Sequence, residues 1–492
     1  MSRIIIQNGN MCELDLPLKF AQKLYAEFAI RHPNAFYLRT RQRGMQNWDG
    51  KIHYINKHGE FKIGLLPAVY EKCIEMGIKP KVVDMRQPLP KVSKVVTKIG
   101  KYILRPEQEK AVKAIISNTI GGKPFQIGVL DYTVNAGKTL IMSSLYLSYK
   151  KQLKTLLITN DSDWLNQARD EFKKYLPGEQ ITFVQGKVLN WSNFTIGMVQ
   201  SISRNMRFYQ NELSKVDMVL VDEADQAGSK QYQNVLTRLF NTRVRIGLSG
   251  TIYMSKLAKD KVKNMNLEVF FGKVLAEFKL KDSIKKGYST RTIVKMVPSK
   301  PWYGNWESEE VSYKEVYDDS ITFNKYAKRM VYSRLKWNLK QGRYPALVVC
   351  KFIAHCENLC KYFKKKLGSK YNIACVHVDT PSKIRQQIMK DFREGKIDIL
   401  VSTTIIARGK NFPKLRYLLN AASMDSQEKS IQFLGRLVRT DSSKKKVYLD
   451  DLHYPGPYLN RHGKHRKQYY QKQELKVILL EKIWKNHPIH SL

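Results

Sequence analysis

Ala136-Gly137-Lys138-Thr139, Asp222-Glu223-Ala224-Asp225 and Gln432-Phe433-Leu434-Gly435-Arg436-Leu437-Val438-Arg439 are the segments of this chain whose residue types can work on phosphate. In the first, Gly137 lets the backbone approach a phosphate closely, Lys138 neutralises β/γ charge, and Thr139 can place its hydroxyl on Mg²⁺. In the second, Asp222 offers a carboxylate to the same ion, and Glu223 can orient and deprotonate an attacking water. Arg436 and Arg439, three residues apart, can stabilise charge that develops on a transferring phosphoryl group. The chemistry implied is binding and splitting a nucleoside triphosphate.

Such groups must be held by definite elements. Ile127-Gly128-Val129-Leu130 reads as a buried strand, Asp131 to Thr139 as a loop, and Leu140 to Leu145 as the start of a helix. A helix start presents free N–H groups and a positive dipole end to phosphates. The strict G-x-x-x-x-G-K-[ST] spacing fails, because Tyr132 stands where the first Gly belongs, and Asn135 occupies a place often held by Gly. Asp222 follows the apolar run Met218 to Val221, so its carboxylate should emerge at the carboxyl edge of a strand, where open α/β sheets bind ligands. Arg436 and Arg439 are expected on one face of a helix.

The 86 Lys and Arg against 43 Asp and Glu give a net charge of +43. An excess of this size favours a polyanionic partner, nucleic acid first, because cations on phosphates release condensed counterions. No stretch approaches the roughly 20 apolar residues of a membrane span, and the apolar run at the start is too short for a signal peptide. Together they set the expectation of a cytoplasmic chain without a membrane partner. The six cysteines (Cys12, Cys73, Cys350, Cys356, Cys360, Cys375) form no C-x-x-C pair. Cys356 and Cys360 beside His355 fit small packing residues on a helix better than a metal site.

At 492 residues several domains are expected. Residues 1–90 read as a small α+β accessory domain: Phe20, Leu24 and Phe28 mark an amphipathic helix, Lys51–Ile55 and Phe61–Leu65 a hairpin, and Ala68–Met76 a second helix. Arg39, Arg41, Arg43, Trp48 and Lys51 suit either a nucleic-acid surface or a basic solvated loop around a core Trp. Beyond a Pro-rich linker, short β-branched runs alternate with helical periodicity over 95–295 and again over 326–492, which predicts two parallel-sheet α/β domains in tandem. Residues 296–325 read as a hinge or insertion. Tyr458 to Lys472 interleaves Arg461, Lys464, Arg466 and Lys467 with Tyr469 and Tyr470; it fits a single-strand tracking surface or a helix packing its tyrosines on the second domain.

These motifs together resemble the superfamily 2 helicases, and more closely the UvsW-type bacteriophage DNA helicases. Leu104-Arg105-Pro106-Glu107-Gln108 is similar to the adenine-reading Gln segment, Ile158 to Gln167 to motif Ia, Met198-Val199-Gln200-Ser201 to the Ib/Ic region, and Leu248-Ser249-Gly250-Thr251 to motif III. Val401 to Pro413 is similar to motif V, and Asn47-Trp48-Asp49-Gly50-Lys51-Ile52 to a segment of the UvsW-type accessory domain. The four letters Asp-Glu-Ala-Asp mislead about substrate: motif Ia lacks Pro-Thr-Arg-Glu-Leu, motif III is Ser-Gly-Thr, and motif VI opens with Gln432 instead of His.

The resemblance implies two RecA-like domains, ATP and Mg²⁺ as cofactors, and DNA, single-stranded and branched, as partner, with RNA–DNA hybrid a further candidate and the chain a monomer or weak oligomer. Nucleotide falls to Arg105, Gln108, Thr133, Asn135, Ala136, Gly137, Lys138, Thr139 and Gly409, and metal to Thr139 and Asp222. Catalysis falls to Lys138, Asp222, Glu223, Gln432, Arg436 and Arg439. The nucleic-acid backbone falls to Thr159, Gln200, Ser201, Thr403, Thr404 and Arg408, contacts that position a strand without reading it. The expected activity is DNA unwinding or branch remodelling in phage replication, recombination and repair; an RNA helicase, or a binding and annealing protein without a motor, are the alternatives.

Overall fold

A computed structural model describes residues 2–41, 44–160, 162–250, 252, 258–299, 311–407, 412–425, 427–441 and 444–480. The chain divides into two compact units, Met1–Phe278 and Lys279–Leu492.

The first unit is built on seven strands in the spatial order Ile181–Val184, Phe194–Met198, Thr155–Thr159, Met218–Asp222, Val244–Ser249, Ile127–Tyr132, Val274–Phe278. Every pairing is parallel. The four central strands of the seven are buried end to end, as a sheet with helices on both faces requires. Because the phosphate-loop strand and the Asp222 strand flank Val244–Ser249, their carboxyl ends converge on one edge.

Residues 1–90 carry a four-stranded mixed sheet, Glu60–Lys62, Met11–Asp15, Arg3–Ile6, Lys81–Asp84. They do not stand apart: Ile4, Phe61, Leu66 and Val69 share one core with Val129, Val219 and Phe271. The join is polar as well as apolar. Arg245, fully buried, donates to Gly9 O at 2.8 Å and Asn10 Oδ1 at 2.6 Å. Gly64 packs so tightly that a Cβ would fall 2.2 Å from Glu268 O. The expected hairpin is reduced to one bridge, Ile55 to Phe61. Lys51–His53 pairs instead with Ala29–Arg31, and Glu60–Lys62 with Met11–Asp15, each over three residues against the single bridge of the hairpin.

The second unit repeats the parallel plan with seven strands: Ile373–Val376, Ile399–Thr403, Ala346–Cys350, Tyr417–Asn420, Lys446–His453, Arg291–Pro298, Lys476–Leu479. It opens ahead of residue 296, since Arg291–Pro298 pairs on both sides within this sheet. Adjacent residues of a strand face opposite sides, and two carboxylates use that alternation. Asp450 accepts from Arg334 Nε at 2.8 Å, Asn338 Nδ2 at 3.2 Å and Tyr417 OH at 3.0 Å, fastening the helix Lys325–Lys340. Asp451 accepts from Arg466 Nε at 2.9 Å, Tyr470 OH at 2.6 Å and Asn420 Nδ2 at 2.9 Å, fastening the helix Leu459–Lys472. Arg466 and Tyr470 are therefore core groups, and the packing alternative holds for them; Arg461 and Lys464 remain on the exposed face. His355 is buried against Tyr317 OH at 3.0 Å, and Cys356 lies with its sulfur 3.4 Å from that of Cys375.

No helix of the described residues is long and apolar enough to cross a membrane.

Candidate nucleotide and nucleic-acid site

The strand Ile127–Tyr132 runs into Thr133–Gly137 and then the helix Lys138–Ser148. Two residues bend the loop. Gly137 has φ +72° and Asn135 φ +64°; the left-handed region is costly for most side chains but open to Gly and tolerated by Asn. Asn135 thus supplies the turn for which a Gly is the usual choice. Tyr132 is buried and donates to Glu107 O at 2.6 Å, so the residue that breaks the textual pattern ties the helix Pro106–Ile116 to the loop.

Gln108 makes the same connection from the other side. Its Nε2 donates to Ala136 O at 2.8 Å and its Oε1 accepts from Arg105 N at 2.8 Å, while Arg105 reaches Asn135 O at 3.3 Å. The Gln segment and the phosphate loop are one hydrogen-bonded body. Thr133 is buried beneath the loop, its N–H on Phe278 O at 3.0 Å.

Lys138 Nζ lies 3.5 Å from Asp222 Oδ1, a buried carboxylate oxygen with no hydrogen-bond donor among the described residues. Thr139 Oγ1 donates to Glu171 Oε2 at 2.8 Å, and Gln167 Nε2 holds the other oxygen of Glu171 at 2.6 Å. An under-used carboxylate oxygen and a hydroxyl at the edge of a phosphate site form an all-oxygen donor set. That set fits Mg²⁺, which is commonly held by one or two carboxylates with substrate phosphates.

Glu223 caps a 3₁₀ turn, Ala224–Gln226, at φ +53°, a strained backbone for a non-Gly residue. Asp225 is buried, which pushes its carboxyl up from the usual range, and accepts from Ser249 Oγ at 2.8 Å. That bond joins the Asp-Glu-Ala-Asp segment to the Ser-Gly-Thr segment. Tyr232 is buried beside these acids; desolvation first, then the charges of Glu223, Asp222 and Asp225, push its phenol well up.

Of the strand-contact candidates in this unit, Thr159 ends the strand Thr155–Thr159 and Gln200 and Ser201 open the helix Val199–Arg204. The two segments are joined next to Thr159: Gln200 Nε2 donates to Asn160 O at 3.1 Å. In the second unit Thr403 ends the strand Ile399–Thr403 and Thr404 begins a short 3₁₀ turn. Arg408 and Gly409 lie outside the described residues, as does the side chain of Gln432. Arg436 sits in the last turn of the helix Gln427–Leu437. Arg439, expected on the same helix, lies two residues beyond its end at Leu437. There the main chain is taken over by Thr290, whose N–H donates to Val438 O at 2.8 Å and whose hydroxyl donates to Arg439 O at 3.2 Å.

Glu171, Gln167 and Gln226 were not singled out from sequence. Gln167 and Glu171 stand four apart on one helix, a spacing that marks a polar pair; Gln226 gave no local signal.

Fold and site define a phosphate-loop NTPase with tandem RecA-like domains. Residues 101–254 match the family model for the type III restriction enzyme res subunit, and residues 327–441 the helicase conserved C-terminal domain. The chain belongs to the superfamily 2 helicases, a family whose helicase domains imply the use of ATP. A helicase of the Sulfolobus islandicus filamentous virus (isolate Iceland/Hveragerdi) is 23% identical over 379 residues, 72% of this chain and 64% of the relative, so less than two thirds of that relative is spanned. Among solved structures, UvsW of bacteriophage T4 aligns over 97% of this chain and 98% of its own at 19% identity and TM-score 0.46. An HsdR-subunit fragment of a type I restriction enzyme from Vibrio vulnificus YJ016 aligns over 74% and 65% at 15% identity and TM-score 0.56.

Proposed function

We propose that the chain is an ATP-driven DNA helicase or translocase that unwinds or remodels branched DNA, such as forks, junctions, D-loops or R-loops, in phage replication, recombination and repair. The observation that carries this reading is the meeting of Lys138 and Asp222, with Glu223 next in sequence, at the carboxyl edge of a parallel sheet, in a chain of net charge +43.

In this reading Lys138 and the N–H groups opening its helix take the phosphates, and Thr139 and Asp222 are the residues that would hold the metal. Mg²⁺, when bound, supplies charge neutralisation on the β/γ oxygens. Glu223 draws a proton from water, which attacks the γ-phosphorus as the bond to the β-phosphate oxygen breaks. Gln432, Arg436 and Arg439 have the charge-stabilising role that the family motif gives them. Thr159, Gln200, Ser201, Thr403, Thr404 and Arg408 hold a strand by its backbone, with residues 1–90 as an accessory nucleic-acid-binding domain. Support for that last assignment is a cavity of about 520 Å³ lined by Arg31, Arg39 and Lys51 beside exposed Phe36, cations and a ring together. Choice of DNA over RNA rests on the Ser-Gly-Thr motif, Gln432 and the Asn47–Ile52 segment. Action in the host cytoplasm, as a monomer or weak oligomer, completes the proposal.

The test is release of a labelled strand from forked DNA. ATP-dependent release by the wild type and none by Lys138→Ala is expected. Release from RNA duplex alone would make the chain an RNA helicase, and binding without ATP turnover would make it an annealing protein.

A further inference from the structure

A chain of hydrogen bonds, one to a main-chain carbonyl and two between side chains, leads from Gln200 to the Glu223 carboxylate. Gln200 Nε2 donates to Asn160 O at 3.1 Å. Asn160 Nδ2 donates to Gln226 Oε1. Gln226 Nε2 donates to Glu223 Oε2 at 3.2 Å. The three links join segments 40, 66 and 3 residues apart in sequence, and every member belongs to the first unit.

The chemistry of position 226 is restrictive. It must accept from an amide N–H on one side and donate to a carboxylate on the other. A glutamine does both. Turning its amide over would set nitrogen against Asn160 Nδ2 and oxygen against the Glu223 carboxylate, two repulsive contacts, so the orientation follows from the partners. Glu or Asp would repel Glu223, and Leu would offer nothing. Glu223 also sits at φ +53°, a backbone that persists only where its surroundings hold it; Gln226 is one group that does so. At the other end Gln200 Oε1 is buried and accepts no hydrogen bond among the described residues, so the Gln200 amide has unused capacity.

We infer that Gln226 is a positioning residue that couples strand binding at Gln200 and Asn160 to the placement of the Glu223 carboxylate, so that nucleic acid raises the hydrolytic rate through this relay. The inference rests on the strand and water-activating roles proposed above. A bound backbone fixes Gln200 and Asn160; Asn160 then orients the Gln226 amide, and the amide fixes one oxygen of Glu223. A hydrogen bond to a charged group is among the stronger ones, and its loss in the transition state is worth about a tenfold fall in rate.

Gln226→Leu breaks the two links that its amide makes and Asn160→Ala the link to Gln226, while both leave Lys138, Asp222 and Glu223 in place. In both, DNA-stimulated kcat is expected to fall about tenfold, with KM for ATP and affinity for a single-stranded oligonucleotide within about twofold of wild type. The double variant is expected to lose no more than either single one, since both cut the same relay. Wild-type stimulation retained in Gln226→Leu, or additive losses in the double variant, would overturn the inference. A fall confined to oligonucleotide affinity, or a rise in DNA-free hydrolysis with kcat maintained, would overturn it too. If the wild type shows no stimulation by any nucleic acid, the functional proposal itself fails, a result distinct from failure of the relay.

Discussion

Gly137→Ala should open the phosphate loop, and the size of the effect can be worked from two contacts. At φ +72° an L side chain costs about 1–2 kcal/mol. Its Cβ would also lie 2.3 Å from Gln108 Nε2, which must move and so abandon its 2.8 Å bond to Ala136 O. A buried pair broken in this way costs about 1–3 kcal/mol. The sum, about 2–5 kcal/mol, should appear as local opening of the loop and of the helix Lys138–Ser148. Hydrogen exchange followed by mass spectrometry over peptides spanning 127–148 reads that opening without assuming two-state unfolding of a two-unit chain. At tenfold per 1.4 kcal/mol, exchange should quicken at least about thirtyfold. Gln108→Ala removes the obstructing atom and the same bond, so Gly137→Ala/Gln108→Ala should be less destabilised than the sum of the single variants by about 1–3 kcal/mol. Strict additivity, or wild-type exchange in Gly137→Ala, would refute the reasoning.

Glu223→Gln is expected to bind ATP and lose turnover, while Lys138→Ala weakens both; nucleotide titration beside steady-state hydrolysis separates the two, and normal turnover in Glu223→Gln would remove it from the mechanism. His355 is buried, and desolvation lowers its imidazole from 6.5 to about 3. The unfolded chain therefore binds the extra proton between those values, so this stabilisation is complete above pH 6.5 and is lost as pH falls toward 3. The unfolding free energy of the second unit should fall by about 1.4 kcal/mol for each pH unit lost in that window, a slope that His355→Gln should reduce. Arg466→Met strands the buried Asp451 carboxylate and should cost about 3–5 kcal/mol, with part regained in Asp451→Asn/Arg466→Met; thermal denaturation of the three proteins decides.

The parallel sheets were legible because buried strands write themselves as β-branched runs, and Asp222 was placed by the run that precedes it. Asn135 could be read as a stand-in for Gly because few other residues take that φ. Tyr132 could not: its hydroxyl answers a carbonyl 25 residues away, and nothing local announces that. The same limit hid Glu171, which meets Thr139 only once two helices pack. Arg466 and Tyr470 misled because a cation beside rings reads alike on a surface and in a core. Yet His462, Arg466 and Tyr470 recur every four residues and form one buried stripe, a periodicity that favoured packing. The hairpin expected over 51–65 failed because alternation marks strands without naming their partners.

The central claim is most directly tested by ATP hydrolysis of the wild type and Lys138→Ala on single-stranded DNA, duplex, forked DNA, RNA and RNA–DNA hybrid at one stated salt concentration, since binding to phosphate backbones varies steeply with salt. Stimulation by DNA, greatest on branched forms and absent in Lys138→Ala, is the predicted result. Selective stimulation by RNA, or hydrolysis that no nucleic acid stimulates, would contradict the account.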